Sequence, residues 1–521
     1  MNGAEILVNA LLSGGVDVCF ANPGTSEMHF VAALDRYPKM RCVLGLFEGV
    51  VTGAADGYYR MAGRPASTLL HLGPGLANGL SALHNAQKAH SGIVNVVGDH
   101  ASWHLNYDAP LTSDLDGIAR PVSHWLKHAH SPDDVARHAV EAIEAARSRP
   151  PAIATLVLPG DAAWNEAEAE LHYGQVKGEV SLGRGYVAPR QEAVDKAAEA
   201  LKSGEPCVLF LGGESVRGPA MEIIGRIMEK TGARAFSQTF CARVERGAGR
   251  VSAARLPYPV DAAVAALKDF RHVITVQASA PVGFFAYPGK PSLLASPEAE
   301  IHALCGLNED PLQALEALAE AVGASKAAPK REIRAENALP TGPLNPLSIA
   351  QALAALLPEN AVVVDESITT GLNSYALTAA AAPHDWLQNM GGSIGFAPPV
   401  ATGAAVACPD RRVLCLTGDG SAMYSLQALW TQARENLDVT TVVFANRTYQ
   451  ILQTEFAGVG AGSPGPSATA MMDIGRPDLD WVKLGQGMGV PSTRVTTAEE
   501  FCTALARSFA EPGPGLIEVV L

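Results

Sequence analysis

Short apolar runs alternate along this chain with longer amphipathic segments, and most runs end in a glycine or a small polar residue. Residues 16–21, 41–46, 67–71, 93–98 and 152–158 read as strands. Residues 2–12 and 50–61 carry the wider spacing of apolar positions expected of helices. The turn Asn22-Pro23-Gly24 closes the first strand, and Gly73-Pro74-Gly75 follows the third. The pattern recurs in the middle of the chain, with strands at 207–211, from 234, and at 272–276 around a helix at 221–231. It recurs again near the end, with strands at 361–364, 413–416, 440–444 and 516–520 and a helix at 498–510. Strands separated by helices predict parallel, doubly wound sheets, so the fold class is α/β with three such domains. Their expected bounds are 1–175, 185–325 and 344–521. The Gly-containing stretch 174–190 and the Ala/Lys/Pro-rich stretch 324–343 read as connections, and no repeat of fixed period is visible.

The third segment holds the most specific pattern. An apolar strand ends in Gly418-Asp419-Gly420-Ser421, a helix follows, and a second β-branched strand ends at Asn446-Arg447-Thr448. This is a βαβ unit whose polar tips, Asp419 and Asn446, lie 27 positions apart. Both fall at the carboxyl ends of parallel strands, where open α/β sheets bind ligands. Backbone N–H groups at such a turn suit a phosphate, and a carboxylate with an amide oxygen suits Mg²⁺. A metal-bridged diphosphate is the reading that satisfies both. The Gly/Ser/Pro-rich stretch 458–466 beyond it reads as a mobile lid.

Composition narrows the classes. Of 521 residues, 48% are apolar and 18% charged, with 50 Gly and 35 Pro, as in a compact enzyme with many loops. The net charge of −14 argues against a broad nucleic-acid or anionic-membrane surface. The eight cysteines form no C-x-x-C, so neither a zinc site nor a disulfide framework is expected, and reduced thiols in a cytoplasmic setting are. The amino terminus has no basic n-region, and no run is suited to a membrane span.

Glu48 stands where a strand gives way to a helix, inside Leu44-Gly45-Leu46-Phe47-Glu48-Gly49-Val50. A carboxyl group there could exchange a proton, or simply favour the helix amino terminus. Together, FEGVVTGAADGYYRMAGRPA, NPGTSEM, LHLGPG and GDGSAMYSLQALW resemble the thiamine diphosphate (ThDP)-dependent 2-keto acid decarboxylase and acetolactate synthase superfamily. Within it, they are most similar to the benzoylformate decarboxylase-like proteins. The resemblance spans the whole chain, in the order pyrimidine-binding, central and diphosphate-binding domain.

The resemblance implies the following roles. Mg²⁺ is held by Asp419, Asn446 and the Thr448 carbonyl. Gly420, Ser421, Tyr449 and Thr369 lie along the diphosphate. Glu48 hydrogen-bonds the aminopyrimidine, Gly392 accepts from its amino group, and Ile394 props the cofactor. His71 relays protons, and the Thr25 hydroxyl binds a carboxylate. The implied reaction is loss of CO₂ from a 2-keto acid to give an aldehyde, with acetolactate synthase-type carboligation to an aldehyde acceptor as the alternative. A non-catalytic ThDP-binding protein is the third reading. The implied assembly is a homodimer or homotetramer with sites shared between subunits. The chain departs from the family at 280–287, where a second histidine of the site has no counterpart and Phe284 or Phe285 would wall the pocket instead. It departs again at Arg447, where many relatives have Asn or Gly. His100 and His104 are further acid/base candidates, and Gln450, Ile451 and Glu455 are candidates to face substrate. FAD is unsupported, since no G-x-G-x-x-G follows the first central strand.

Overall fold

A computed structural model describes residues 1–167 and 185–521, and within these the chain forms three sheets with interleaved helices. The expected end of the first domain at 175 and most of the connection 174–190 lie outside the described residues. The first sheet contains β1 (Val18–Asn22), β2 (Arg41–Leu44), β3 (Ala66–Leu70), β4 (Ile93–Asp99), β5 (Trp125–His128) and β6 (Ile153–Pro159). Its order is β2-β1-β3-β4-β6-β5, and all its pairs are parallel. The central sheet contains β7 (Cys207–Leu211), β8 (Arg234–Ser237), β10 (Ala254–Arg255), β11 (His272–Val276) and β12 (Glu300–Cys305), ordered β10-β8-β7-β11-β12 and again parallel. The third contains β13 (Ala361–Glu366), β14 (His384–Gln388), β15 (Val413–Gly418), β16 (Val439–Ala445), β17 (Ser492–Val495) and β18 (Gly515–Val520). A short strand β9 (Val244–Arg246), from the middle of the chain, pairs antiparallel with β14 and caps that edge.

Counted from their own first strands, the first and third sheets share one winding, 2-1-3-4-6-5. The repeat lies in topology and not in residue pattern, so no sequence period reveals it. It positions the site directly. In the register of the third sheet Glu366 stands beside Thr417, Gly418 beside Phe444 and Ala445 beside Val520. The loops carrying Ser367–Thr370, Asp419 and Asn446 therefore emerge side by side at one edge.

Strands β5, β9, β10, β12, β14 and β17 are absent from the sequence reading. β14 reads His-Asp-Trp-Leu-Gln yet is fully buried. Its Asp385 is held by Arg243 (2.7 Å) and by Arg411, so the polar letters conceal paired charges. β12 is an edge strand, exposed over its first half, and lacks the continuous apolar run of an inner strand.

The two outer sheets meet through the helices that follow their second strands, Glu48–Ala62 and Ala397–Ala407. Glycines permit backbone approach there. A Cβ on Gly57 would lie 2.0 Å from the Val400 carbonyl oxygen, and one on Gly403 only 1.8 Å from that of Ala54. Val51, Ala54, Tyr58, Val362, Val400 and Val413 share one core across this contact, and another core joins the central and third sheets. Gly57→Ala gains helix propensity but must force the helices apart. Overpacking of this kind costs about 1–3 kcal/mol, expected as a lowered unfolding temperature. Gly63→Asn, at a left-handed helix end (φ 66°) with nothing near its absent Cβ, should change it little.

Candidate active site

The site residues fall into two groups, one at the carboxyl edge of the first sheet and one at that of the third. In the first group Glu48 opens its helix directly after β2 and is buried. Its Oε1 accepts from Asn22 Nδ2 (3.0 Å) at the end of β1, and its Oε2 from Asn78 Nδ2 (2.9 Å). Two amides from different elements thus fix the rotamer of one carboxylate. His71 follows β3, and Glu27 Oε2 lies 2.8 Å from its Nδ1. Glu27 also accepts from the Gly24 backbone N–H (2.7 Å). Burial raises the Glu27 carboxyl above the ordinary carboxylate range, against the lowering pull of the Gly24 N–H and of His71. Gly98 leaves the room that Glu27 occupies, since a Cβ there would lie 1.7 Å from Oε1. Thr25 starts the short 3₁₀ turn Thr25–Glu27 in the same loop and is exposed. Gly75 lies beneath the pair, with Glu48 Oε1 3.3 Å and His71 Cβ 3.4 Å from where its Cβ would be.

The second group surrounds two neighbouring cavities. The smaller is a cleft lined by Thr369, Gly418, Asp419, Gly420, Ser421, Asn446, Thr448 and Tyr449. Asp419 is buried, and it accepts from the Gly420 N–H (2.9 Å) and the Arg447 N–H (2.7 Å). Asn446 Oδ1 accepts from the Thr448 N–H at 3.1 Å. Burial raises the Asp419 carboxyl despite these donors. The Arg447 guanidinium pairs with Asp478, its Nε 3.1 Å from that carboxylate, and exerts only a minor lowering pull on Asp419. Arg447 has φ 60°, a left-handed turn that Asn or Gly adopts more easily. The Tyr449 ring covers Gly420, where a Cβ would meet it at 2.5 Å.

The larger cavity, about 320 Å³, is walled by Phe240, Tyr258, Phe284, Phe285, Ile368, Leu372, Gly392, Ile394, Ile451 and Leu452. Phe284 occupies the space over Gly392, 2.7 Å from its absent Cβ. Thr369 lines both cavities. The loop bearing Gly392 and Ile394 is pinned from the first part of the chain. Asn85 Nδ2 donates to the Ser393 carbonyl (2.8 Å), and Asn85 Oδ1 accepts its N–H (3.1 Å). Of the further candidates, Ile451 and Glu455 face the larger cavity and Gln450 the cleft. Glu455 also accepts from the Tyr287 hydroxyl at 2.8 Å. Residues 458–466 are exposed beside them. His100 and His104 pack ring to ring (5.3 Å), and His104 also packs on Trp103 and Tyr107. Neither Glu48, His71 nor Thr25 lines either cavity in its own chain.

Asn22, Asn78, Glu27 and Asn85 escaped the sequence reading because their contacts span 26 to 308 positions and leave no local pattern. So did Glu366, whose carboxylate accepts the Phe396 (3.1 Å) and Ala397 (3.0 Å) N–H groups at a helix amino terminus. Burial pushes it up to about 7, outweighing those donors. A native carboxyl above its unfolded value stabilises most at low pH, and that stabilisation is lost as pH rises from about 4.5 through 7. Wild type should therefore lose stability relative to Glu366→Gln between pH 5 and pH 8 in thermal unfolding. A gain of wild type over the variant across that range would show the carboxylate to be held ionised instead.

Residues at the strand ends are conformationally unusual. Leu72 (φ 47°) follows His71, Ile368 (φ 44°) follows the β13 loop, and Arg447 follows β16. Left-handed backbone at non-glycine residues costs of order 1–3 kcal/mol each and clusters at ligand sites.

The donor set fits the group that the resemblance implies. Among the described residues the buried carboxylate at the cleft makes no ion pair, and the cleft is bordered by the turn Gly418–Ser421. Asp419, Asn446 and Thr448 would hold a divalent cation there, with Gly420, Ser421 and Thr369 alongside a diphosphate.

Comparison with known proteins identifies the family. Residues 1–127 match the family described as thiamine pyrophosphate enzyme, N-terminal TPP binding domain, and residues 370–519 its C-terminal TPP binding domain. The chain is 52% identical over its whole length, and 99% of the relative's, to the Mycobacterium tuberculosis protein named "Putative acetolactate synthase large subunit IlvX". It is 30% identical to benzoylformate decarboxylase of Pseudomonas aeruginosa, over 97% of this chain and 96% of that one. The solved structure of the Rhodococcus jostii thiamine diphosphate-dependent 4-hydroxybenzoylformate decarboxylase superposes with a TM-score of 0.85 at 26% identity, covering 99% of this chain and 98% of that one. With a cleft suited to a diphosphate, domains matched at both ends and full-length relatives of this kind, the chain belongs to the thiamine diphosphate-dependent decarboxylase and acetolactate synthase family of enzymes.

Proposed function

We propose that this enzyme decarboxylates a 2-keto acid with a bulky apolar side chain and releases the aldehyde. The observation that carries the reading is the aromatic and aliphatic wall of the larger cavity, placed directly beside the diphosphate cleft through Thr369. Such a wall favours an apolar substituent by burial alone. When bound, ThDP supplies the electron sink for breaking the bond to the carboxylate. The chain's own groups do the rest. Asp419, Asn446 and Thr448 hold Mg²⁺, Glu48 holds a proton against the pyrimidine, Thr25 orients the carboxylate, and His71, set by Glu27, moves a proton to product.

A second reading, carboligation of the acetolactate synthase type, is favoured by the name of the 52%-identical relative. A panel of 2-keto acids, with and without aldehyde acceptors and assayed for CO₂ and products, separates the two. Aldehyde release from arylglyoxylates supports the first. Exclusive formation of hydroxy-ketones from small keto acids supports the second and sinks the first.

We further propose that two chains share each site, the first-sheet group of one completing the cavities of the other. Its support is that Glu48, His71 and Thr25 line neither cavity of their own chain. Mixing inactive Glu48→Gln and Asp419→Asn chains under exchange should regain activity, because one site of each mixed dimer carries neither defect. No recovery despite proven mixing would refute sharing.

A further inference from the structure

The central sheet carries a cluster of side chains of metal-ligating type, at the end of its strands opposite the loops that reach the larger cavity. We propose that His272, His302 and Glu300 bind a divalent transition-metal ion of the zinc class. His272 opens β11, and His302 and Glu300 lie on the neighbouring edge strand β12, in parallel register with it. His272 Nδ1 stands 3.1 Å from His302 Nε2. Glu300 Oε2 lies 3.9 Å from the first nitrogen and 3.7 Å from the second. All three ligand atoms fall within 4.8 Å of one another. Two imidazole nitrogens on a tetrahedral zinc at its usual bond length are about 3.3 Å apart, so the separations are those of a ligand set.

The outer contact has the same character. His272 Nε2 lies 3.1 Å from Glu205 Oε2, just before β7. A carboxylate on the far nitrogen fixes the tautomer, leaving Nδ1 with its lone pair toward His302, as is usual for histidines that hold metal. Both histidine side chains are mostly buried, 11% and 16% exposed, while Glu300 is 72% exposed and can swing onto an ion. Burial, then the neighbouring His272, lowers the His302 imidazole. The other charges facing the cluster are Lys196 near His302, and Arg271, whose Nε lies 3.9 Å from Glu205 and which also pairs with Glu298. Two histidines and a carboxylate leave one position for water. The ion would fasten the exposed edge strand β12 to β11, a structural role away from the reaction.

The test uses the protein saturated with ThDP and Mg²⁺, freed of other metals by brief chelation and titrated near neutral pH with Zn²⁺ or Co²⁺. One ion per chain is expected to bind beyond the Mg²⁺ complement, raising the unfolding temperature and, for Co²⁺, giving visible absorption of a tetrahedral site. His302→Gln and the exposed-residue variant Glu300→Gln should each bind at least 10-fold more weakly. Glu205→Gln, which removes only the outer carboxylate, should cost about 10- to 100-fold. Turnover should be unchanged in all three. Equal uptake by wild type and Glu300→Gln, together with equal uptake by His302→Gln, would overturn the site and leave a histidine–histidine hydrogen bond.

Discussion

Glu48→Gln is expected to cut turnover by about 10²- to 10⁴-fold, the usual contribution of a placed acid–base group, while ThDP binding is retained. The side chain keeps its size, and its oxygen still accepts from Asn22 or Asn78, so the helix start and its rotamer persist. What is lost is a group that can carry a proton at that point. The residues proposed to hold Mg²⁺ and the diphosphate line the cleft of the other sheet, which the substitution does not touch. Stopped turnover with a ThDP titration close to wild type would therefore assign Glu48 to chemistry. Full activity would sink the assignment and revive the reading of Glu48 as a helix-terminal charge. Retained binding with no activity in wild type toward any keto acid would favour the non-catalytic alternative.

Asp419→Asn acts on the other half. The buried carboxylate accepts two backbone N–H groups and offers its remaining lone pairs to the cleft. An amide of equal size has one acceptor oxygen, and its NH₂ must face either a backbone donor or the cation. Losing one contact between charged groups costs up to about 3 kcal/mol, or about 100-fold in affinity. ThDP affinity at saturating Mg²⁺ should fall by up to about that factor, with activity partly regained at high cofactor. Unchanged affinity would show that the cation sits elsewhere. The pH response checks the same group. Because burial raises the Asp419 carboxyl, metal-dependent cofactor binding in wild type should weaken as acid protonates it, above the ordinary value of 3.8. In the variant that limb should be missing.

Much of this enzyme is written in local pattern. Apolar runs with period-free burial mark the inner strands, and glycine or proline at their ends marks the turns. The unit from Val413 to Asn446 encodes its own geometry, because strand, turn, helix and strand follow one another within a single βαβ. The sequence alone therefore determined the α/β class and the turn around Asp419 on which the family resemblance rests. It did not reveal β14, whose charges are legible as buried only when Arg243 and Arg411 arrive from distant segments. It did not reveal that Asn22 and Asn78 hold Glu48, or that Glu27 holds His71. Nor did it show that Arg447 pairs with Asp478, or that His272 and His302 meet. Those facts depend on which strand ends a winding brings together. Side-chain hydrogen bonds are directional and short in range, so they exist only once the 2-1-3-4-6-5 order and the close approach of the helices at Gly57 and Gly403 have set the backbone. Periodicity is a property of neighbours along the chain, whereas the partners of Glu48 and His71 are neighbours across the sheet.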